Sequence, residues 1–428
     1  MKASEIFTTL LANLKVGERA TTIAARRDEI VKALNKDFRD ITGSTANRLM
    51  VGSFGRNTAI KGVSDLDLIF IVPADLRSTY SGEGGARKLL NRVRDVLTDR
   101  YPSTTIRVDQ CVVRVDFSSN AFKFEVQPAF EEDDGSFSYP DTSADALKIT
   151  KPRDEIDETK ACNQRTSNNM RHLARMARAW RDRNGVVMGG LLIDTLVHRF
   201  FSQTEDYDSA GASSYGLMAR DFFEFLKEEP DKDLYLALGS HQRVKVKQSF
   251  QAKAKKAYNK CVAAIADGET AKANDKWREV FGTSVPRASS KSLSAYRDTE
   301  QFIEERMPIA IEGAVRIDCK IIRNGWRVNW LREVLRLKQP LSRNVSLEFE
   351  VVSCSIAQPY DLKWKVLNRG PEAECRDMIR GQIINSTRPG VRTESSVFMG
   401  DHVVECYVIK NGAVVARDRI EVPISSAT

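Results

Sequence analysis

The chain has 428 residues, 42% of them hydrophobic and 29% charged, enough to bury a substantial core in two to three domains. No apolar run is long enough to span a bilayer, and Ser4, Glu5, Thr8, Thr9 and Asn13 interrupt any signal-peptide core at the N-terminus, so the cytoplasm is the expected location. Seven scattered cysteines, with no C-x-x-C pair and no histidine at ligand spacing, exclude a disulfide framework and structural zinc, while the net charge of +8 suits polyanion partners such as nucleotides or nucleic acid and serves solubility equally well.

Residues 4 to 42 carry apolar side chains at helical spacing, notably Ile23, Ile30, Leu34, Phe38 and Ile41. RLMVGS then reads as a strand, FGRNTAIKG as a short helix or turn, and LDLIFIV as a buried strand. A helical segment, ARKLLNRVRDVLTDRY, precedes the strands CVVRVDF and FKFEVQPAF, which SSNA joins as a hairpin. This order predicts a mixed sheet with helices packed on it over residues 1–150. Residues 151–285 read as a helical lobe, 286–300 as a linker rich in Ser, and 301–428 as an all-β sandwich. Within that tail, Asn324-Gly325 and Asn411-Gly412 each sit between strand-like runs and predict hairpins.

The chemistry concentrates in GSFGRNTAIKGVSDLDL. On a strand, Asp65 and Asp67 point the same way while Leu66 and Leu68 pack inward. Such like charges repel unless a cation lies between them, and Mg²⁺ favours a few carboxylates, water and phosphate oxygens. Gly52 permits close backbone approach, and Ser53 opens a helix whose free N-H groups and hydroxyl suit a polyphosphate. A lone D-x-D is more often a solvated edge; the Gly-Ser turn before it strengthens the pattern. Glu125 in FKFEVQPAF is the favoured third acid, because a buried unpaired charge there would be expensive. Asp116 on the preceding strand competes for the role.

On these motifs the chain resembles the polymerase-β-like nucleotidyltransferases, and within them the bacterial cGAS/DncV-like enzymes. GSFGRNTAIKGVSDLDL is similar to the family's metal motif and FKFEVQPAF to the strand bearing the third acid, although glutamate stands where aspartate is usual. The resemblance covers roughly residues 1 to 285. It implies an α+β fold, with a nucleotidyltransferase core and helical lobe, in which two Mg²⁺ or Mn²⁺ ions are bound by Asp65, Asp67 and Glu125. Gly52, Ser53 and Arg56 would face the donor triphosphate. In RHLARMARAW, Arg178 takes the place of a basic residue that holds donor phosphates two before a tryptophan. MGGLLIDTL departs from the Ser-Tyr pair that contacts the donor base in animal relatives, so base choice stays open. The β tail resembles the AGS-C sensor domain. The implied function is joining ATP, with GTP, into a cyclic di- or trinucleotide that activates a separate anti-phage effector, with an activating ligand or protein at the sensor. Conjugation of the C-terminus to other proteins is a further implication.

Blander readings stand beside these. Arg56, Lys61, Arg171, Arg175 and Arg178 are phosphate candidates or a solvated basic face. His172, His198, His241 and His402 read as structural or surface residues, and Trp326, Trp330 and Trp364 as sandwich core more than ligand pocket. The alternative enzyme reading is a linear product, or the nucleotide attached to RNA, protein or a small molecule, and a degenerate nucleotide- or nucleic-acid-binding sensor is the reading from another class.

Overall fold

The structure is a computed structural model that describes residues 1–17, 19–63, 65–117, 122–287, 300–339, 341–368, 371–375, 380–397 and 399–424. The SSNA connection, most of the 286–300 linker and the last four residues lie outside the described residues. Two compact units form: residues 2–179 with 188–265, and residues 1, 180–187 and 266–428. The 151–285 stretch is therefore not a unit of its own. Most of it joins the N-terminal residues, while 180–187 and 266–285 belong with the β tail.

The first unit opens with helices α1 (Ala3–Asn13) and α2 (Arg19–Arg39), separated by a turn with Gly17 at φ +67°. The strand β1 (Arg48–Met50), a single helical turn α3 (Gly52–Gly55) and strand β2 (Asp65–Ile71) follow. After α4 (Arg77–Tyr80) and α5 (Gly85–Arg100) come β3 (Thr105–Asp109), β4 (Val112–Phe117), β5 (Phe122–Glu131), β6 (Phe137–Asp141) and β7 (Ala146–Thr150). The central strands run in the order β1-β2-β5-β4-β3. Only β2 and β5 among these pairs are parallel, so the sheet is mixed, as the element order predicts. Helices α2 and α5 close one face. Ile23, Ile30, Val31, Leu34 and Phe38 on α2, and Leu89, Leu90, Val93 and Leu97 on α5, meet Leu66, Leu68, Val113, Val115, Phe124 and Val126 in one core. Because alternate strand residues face opposite ways, filling this core with leucine, valine and phenylalanine leaves Asp65, Asp67, Arg114, Asp116, Lys123 and Glu125 on the other face.

Helices α6 (Pro152–Arg165), α7 (Asn169–Asn184), α8 (Gly190–Phe201) and α9 (Tyr215–Glu228) follow, with a small β8 (Leu234–Leu236) and β9 (Arg243–Lys245) hairpin and α10 (Gln251–Ala266).

The second unit contains α11 (Ala271–Phe281) and two four-stranded antiparallel sheets. One orders β11 (Trp326–Trp330), β10 (Val315–Arg323), β12 (Ser346–Cys354) and β15 (Val391–Ser395); the other orders β14 (Ile383–Asn385), β13 (Asp361–Leu367), β16 (Gly400–Lys410) and β17 (Ala413–Ile424). Ile317, Phe349, Trp364, Cys406 and Ile420 meet between them, making the expected sandwich. Both Asn-Gly turns hold positive φ at each central residue, 52° and 80° at Asn324-Gly325 and 51° and 75° at Asn411-Gly412. The opposite face of the β13-β16-β17 sheet is a buried ionic layer: Arg183 lies 3.1 Å from Glu405, Arg417 3.3 Å from Glu405, and Lys365 2.7 Å from Glu300. Gly185, at φ +59°, lets the end of α7 rest on this layer, since a Cβ there would come within 2.4 Å of the Arg417 carbonyl oxygen. These contacts explain why 180–187 travels with the β tail.

Candidate active site

Strand register sets the site. Parallel pairing of β2 with β5 aligns Asp65 with Lys123 and Asp67 with Glu125, and antiparallel pairing of β5 with β4 aligns Lys123 with Asp116 and Glu125 with Arg114. Two rows thus cross the open face: Asp65, Lys123, Asp116 and Asp67, Glu125, Arg114. Glu125 is the immediate neighbour of Asp67. Asp116 stands two strands from β2, roughly 10 Å away at ordinary strand spacing, and pairs with Arg107 at 3.3 Å.

The acids repel one another and are partly offset by cations. Lys123 lies 3.0 Å from Asp65, and Arg114 Nε lies 3.0 Å from Glu125. Burial, followed by the charges of Glu125 and Asp65, pushes the Asp67 carboxyl up to about 6. Burial also raises Glu125. Gly52 sits against this carboxylate: a Cβ on Gly52 would lie 1.9 Å from Asp67 Oδ2, and the Val51 N-H donates to the Asp67 carbonyl at 3.0 Å. The Ser53 hydroxyl makes no hydrogen bond among the described residues. Its carbonyl oxygen accepts from the N-H groups of Thr58 and Ala59 at 2.8 and 3.1 Å, folding the following loop back onto α3.

Arg56 and Arg178 are placed differently from the sequence expectation of two phosphate ligands. Both are buried, at 3% exposure. Arg178 grips Asp194 with both Nη atoms, at 2.6 and 2.8 Å, and also donates to the Ala174 and Gly190 carbonyls. Arg56 donates from Nε to Asp194 at 2.8 Å and from Nη1 to Glu155 at 3.0 Å, and the Thr58 hydroxyl donates to Asp194 at 2.9 Å. Burial alone would raise Asp194, but Arg178 and Arg56 hold it below the usual carboxylate range. The guanidinium groups therefore lock α3 to α6, α7 and α8. Sequence reading missed Asp194, Glu155 and Thr58. The available signal was an acid within GGLLIDTL, which must find a cation if its helix is buried.

The basic stripe on α7 splits accordingly. Arg171 Nε donates to the Arg56 carbonyl at 3.1 Å, and Arg175 to the Asn57 carbonyl and side-chain oxygen at 2.9 and 3.0 Å. His172 contacts the Tyr215 hydroxyl at 2.9 Å and His198 contacts Glu158 at 2.7 Å, in keeping with structural roles.

As the side chains stand, no group of three or more acid, cysteine or histidine side chains among the described residues is gathered closely enough to hold a metal ion. The donor set nevertheless fits a hard divalent cation. Asp65, Asp67 and Glu125 stand together on one sheet face, and burial, followed by the charges of Glu125 and Asp65, raises the Asp67 carboxyl, a cost that an ion would relieve. Asp65 and Glu125 would turn from Lys123 and Arg114 to reach it.

A mixed sheet with Gly-Ser before a D-x-D strand is the arrangement that the resemblance to the polymerase-β-like nucleotidyltransferases leads one to expect. Residues 1–163 match the Second Messenger Oligonucleotide or Dinucleotide Synthetase domain, and residues 297–425 match the Adenylyl/Guanylyl and SMODS C-terminal sensor domain. The chain thus joins a second-messenger synthetase domain to a C-terminal sensor domain, the pairing that the resemblance to the cGAS/DncV-like nucleotidyltransferases implies. It is 23% identical over 273 residues to a probable cyclic nucleotide synthase of Bacillus cereus (strain VD146), covering 55% of this chain and 81% of that one. The fold is similar to CdnC of E. coli MS115-1, solved in a complex with HORMA-deltaN, with TM-score 0.51, 14% identity and coverage of 67% of this chain and 98% of that one. It is also similar to the apo form of Vibrio cholerae DncV, with TM-score 0.50, 13% identity and coverage of 66% and 96%. No helix among the described residues is long and apolar enough to cross a membrane.

Proposed function

We propose that the chain joins nucleoside triphosphates, ATP with GTP, into a cyclic di- or trinucleotide that signals to a separate anti-phage effector in the cytoplasm. The observation that carries this reading is the register that sets Asp67 beside Glu125, with Asp65 two residues away and Gly52 packed on the Asp67 carboxylate. The synthetase-domain match over residues 1–163 and the name of the Bacillus cereus relative support the cyclic product.

Two Mg²⁺ or Mn²⁺ ions held by Asp65 and Asp67, with Glu125 completing the site nearer the acceptor hydroxyl, would supply Lewis-acid activation and charge neutralisation. The chain's own residues do the rest. Gly52 lets the triphosphate approach the backbone, and the Ser53 hydroxyl and N-H donate to its oxygens. Arg56 and Arg178 act as positioning residues through Asp194 and Glu155, fixing α3 so that Ser53 and Asp67 keep their spacing. The acceptor 3′-hydroxyl gives up its proton to solvent as its oxygen attacks the α-phosphorus and pyrophosphate leaves, and the last such transfer, the second for a dinucleotide or the third for a trinucleotide, closes the ring.

The test is incubation of the pure protein with all four NTPs and Mg²⁺ or Mn²⁺, with products identified by mass spectrometry before and after phosphatase. Cyclic products lack phosphatase-sensitive ends. Linear products, or nucleotide attached to added RNA or protein, would replace the cyclic reading with the broader transferase one.

One observation favours a second reading, a nucleotide-binding sensor without turnover: Asp65 and Glu125 already have Lys123 and Arg114 as counterions. A thermal shift with Mg²⁺ and NTP in the absence of any product would establish that reading instead.

A further inference from the structure

Beside the C-terminal end of α3 lies a cavity of about 220 Å³ lined by Lys15, Val16, Phe54, Asn57, Ala59 and Arg175. Gly52 opens α3 against Asp67, whereas Asn57 and Ala59 follow its last residue. The acidic sheet face and this cavity therefore lie at opposite ends of the same helical turn.

The charges around the cavity are unbalanced. Arg56 and Arg178 each have a buried carboxylate, but Lys15, Arg171 and Arg175 have no acid partner among the described residues. Arg171 and Arg175 spend donors on the Arg56 and Asn57 carbonyls, which are neutral. Arg175 Nε is buried without a hydrogen-bond partner among the described residues. Burial, then the charges of Arg171 and Arg178, disfavour the charged form of Arg175, and burial, then Arg175 and Lys15, weigh against protonation of His172. An unpaired cation cluster in a partly desolvated site is costly, and an oxyanion accepting from a guanidinium and an ammonium group relieves it.

Size narrows the ligand. Pockets for whole small-molecule ligands start at roughly 300 Å³, so a cavity of about 220 Å³ suits one or two phosphate groups better than a complete nucleotide. We infer that this cavity binds a small phosphate oxyanion, of phosphate or pyrophosphate size, between Lys15 and Arg175. Such an anion would tie the turn between α1 and α2 to the loop that leads from Ser53 to Asp65. That loop already touches α1 through the Lys61 N-H, which donates to the Leu14 carbonyl at 2.8 Å.

The inference does not depend on the activity, because its readout is binding by the full chain in EDTA. Calorimetric titration with inorganic pyrophosphate, and separately with inorganic phosphate, identifies which anion fits. Expected is one binding event for at least one of them, retained in Asp67→Asn and in Ser53→Ala. Lys15→Glu should weaken it by about tenfold or more and Lys15→Ala by less, while Lys15→Arg keeps it. Lys15 is exposed and makes no ion pair among the described residues, so these variants should melt like the parent. Absence of binding by both anions, equal affinity in Lys15→Glu and parent, or loss of binding in Asp67→Asn or Ser53→Ala would each overturn the assignment.

Discussion

The carboxylate of Asp67 occupies the space that a side chain on Gly52 would need, with Oδ2 1.9 Å from the position of a Cβ. Gly52 also holds φ +60°, a region where an L-residue costs on the order of 1 kcal/mol. Gly52→Ala should therefore move either Asp67 or α3, and both carry the proposed chemistry. The expected outcome is a loss of product formation by about a hundredfold or more, since misplacement by about 1 Å is enough for that. The melting temperature should fall only modestly, which separates a damaged site from a damaged fold.

Replacing either aspartate by asparagine removes a negative charge from the proposed metal site with almost no change in volume. Asp65→Asn and Asp67→Asn should abolish nucleotide transfer while leaving the circular dichroism spectrum unchanged. Near-full activity in Asp65→Asn would refute the proposed metal site.

The Asp67 carboxyl also sets a pH dependence. Its folded value of about 6 lies above the ordinary 3.8, so between those values the folded protein binds the proton more tightly than the unfolded chain. In EDTA, stability should fall as pH rises from about 4 to 6 and then level off, a change on the order of 3 kcal/mol at most. Asp67→Asn should lose this component and be the more stable protein at pH 7. Thermal melts across that range check both statements. Adding Mg²⁺ at pH 7 should raise the melting temperature of the parent and not of the variant, by mass action on the folded state.

Much of this site was legible because local pattern carried it. Alternation along DLDLIFI places Leu66 and Leu68 in the core and the aspartates opposite, and Asn-Gly pairs dictate their turns. The strands β3, β6 and β7 were not legible because each is only five residues long, too short for the alternation in TIRVD or ALKIT to stand out from its surroundings. The partners of Arg56 and Arg178 were illegible for a different reason. Asp194 is 138 residues from Arg56, and no spacing rule connects residues that meet only after α8 packs. The same applies to Arg183: nothing in RDRNG signals that its guanidinium will be buried against Glu405 on β16.

Asp194 serves two guanidinium groups and a hydroxyl while fully buried. Asp194→Ala would leave Arg178 buried with only the Ala174 and Gly190 carbonyls, and Arg56 with only Glu155. Removing one partner from a buried ion pair costs about 3 to 5 kcal/mol, so urea denaturation should show a loss of that order. Activity should fall through loosening of α3. Arg178→Lys keeps the charge but not the two-point grip, so it should lie between Asp194→Ala and the parent in both measurements.

The tryptophans of the β tail provide a contrast within one domain. Trp364 on β13 is fully buried between the sheets, and its indole N-H donates to the Ser386 hydroxyl at 3.0 Å. Trp326, just past the Asn324-Gly325 turn on β11, the edge strand of its sheet, is 79% exposed. Sandwich strands usually bury their aromatic residues, so Trp326 departs from the sequence expectation while Trp364 meets it. Trp364→Ala should cost about 3 to 5 kcal/mol by removing a large core side chain and leaving a cavity. Trp326→Ala should change stability by no more than about 0.5 kcal/mol, as surface substitutions do. Denaturation followed by far-ultraviolet circular dichroism, a signal that neither substitution removes, separates the two, and equal effects would mean that Trp326 is covered by a contact outside the described residues.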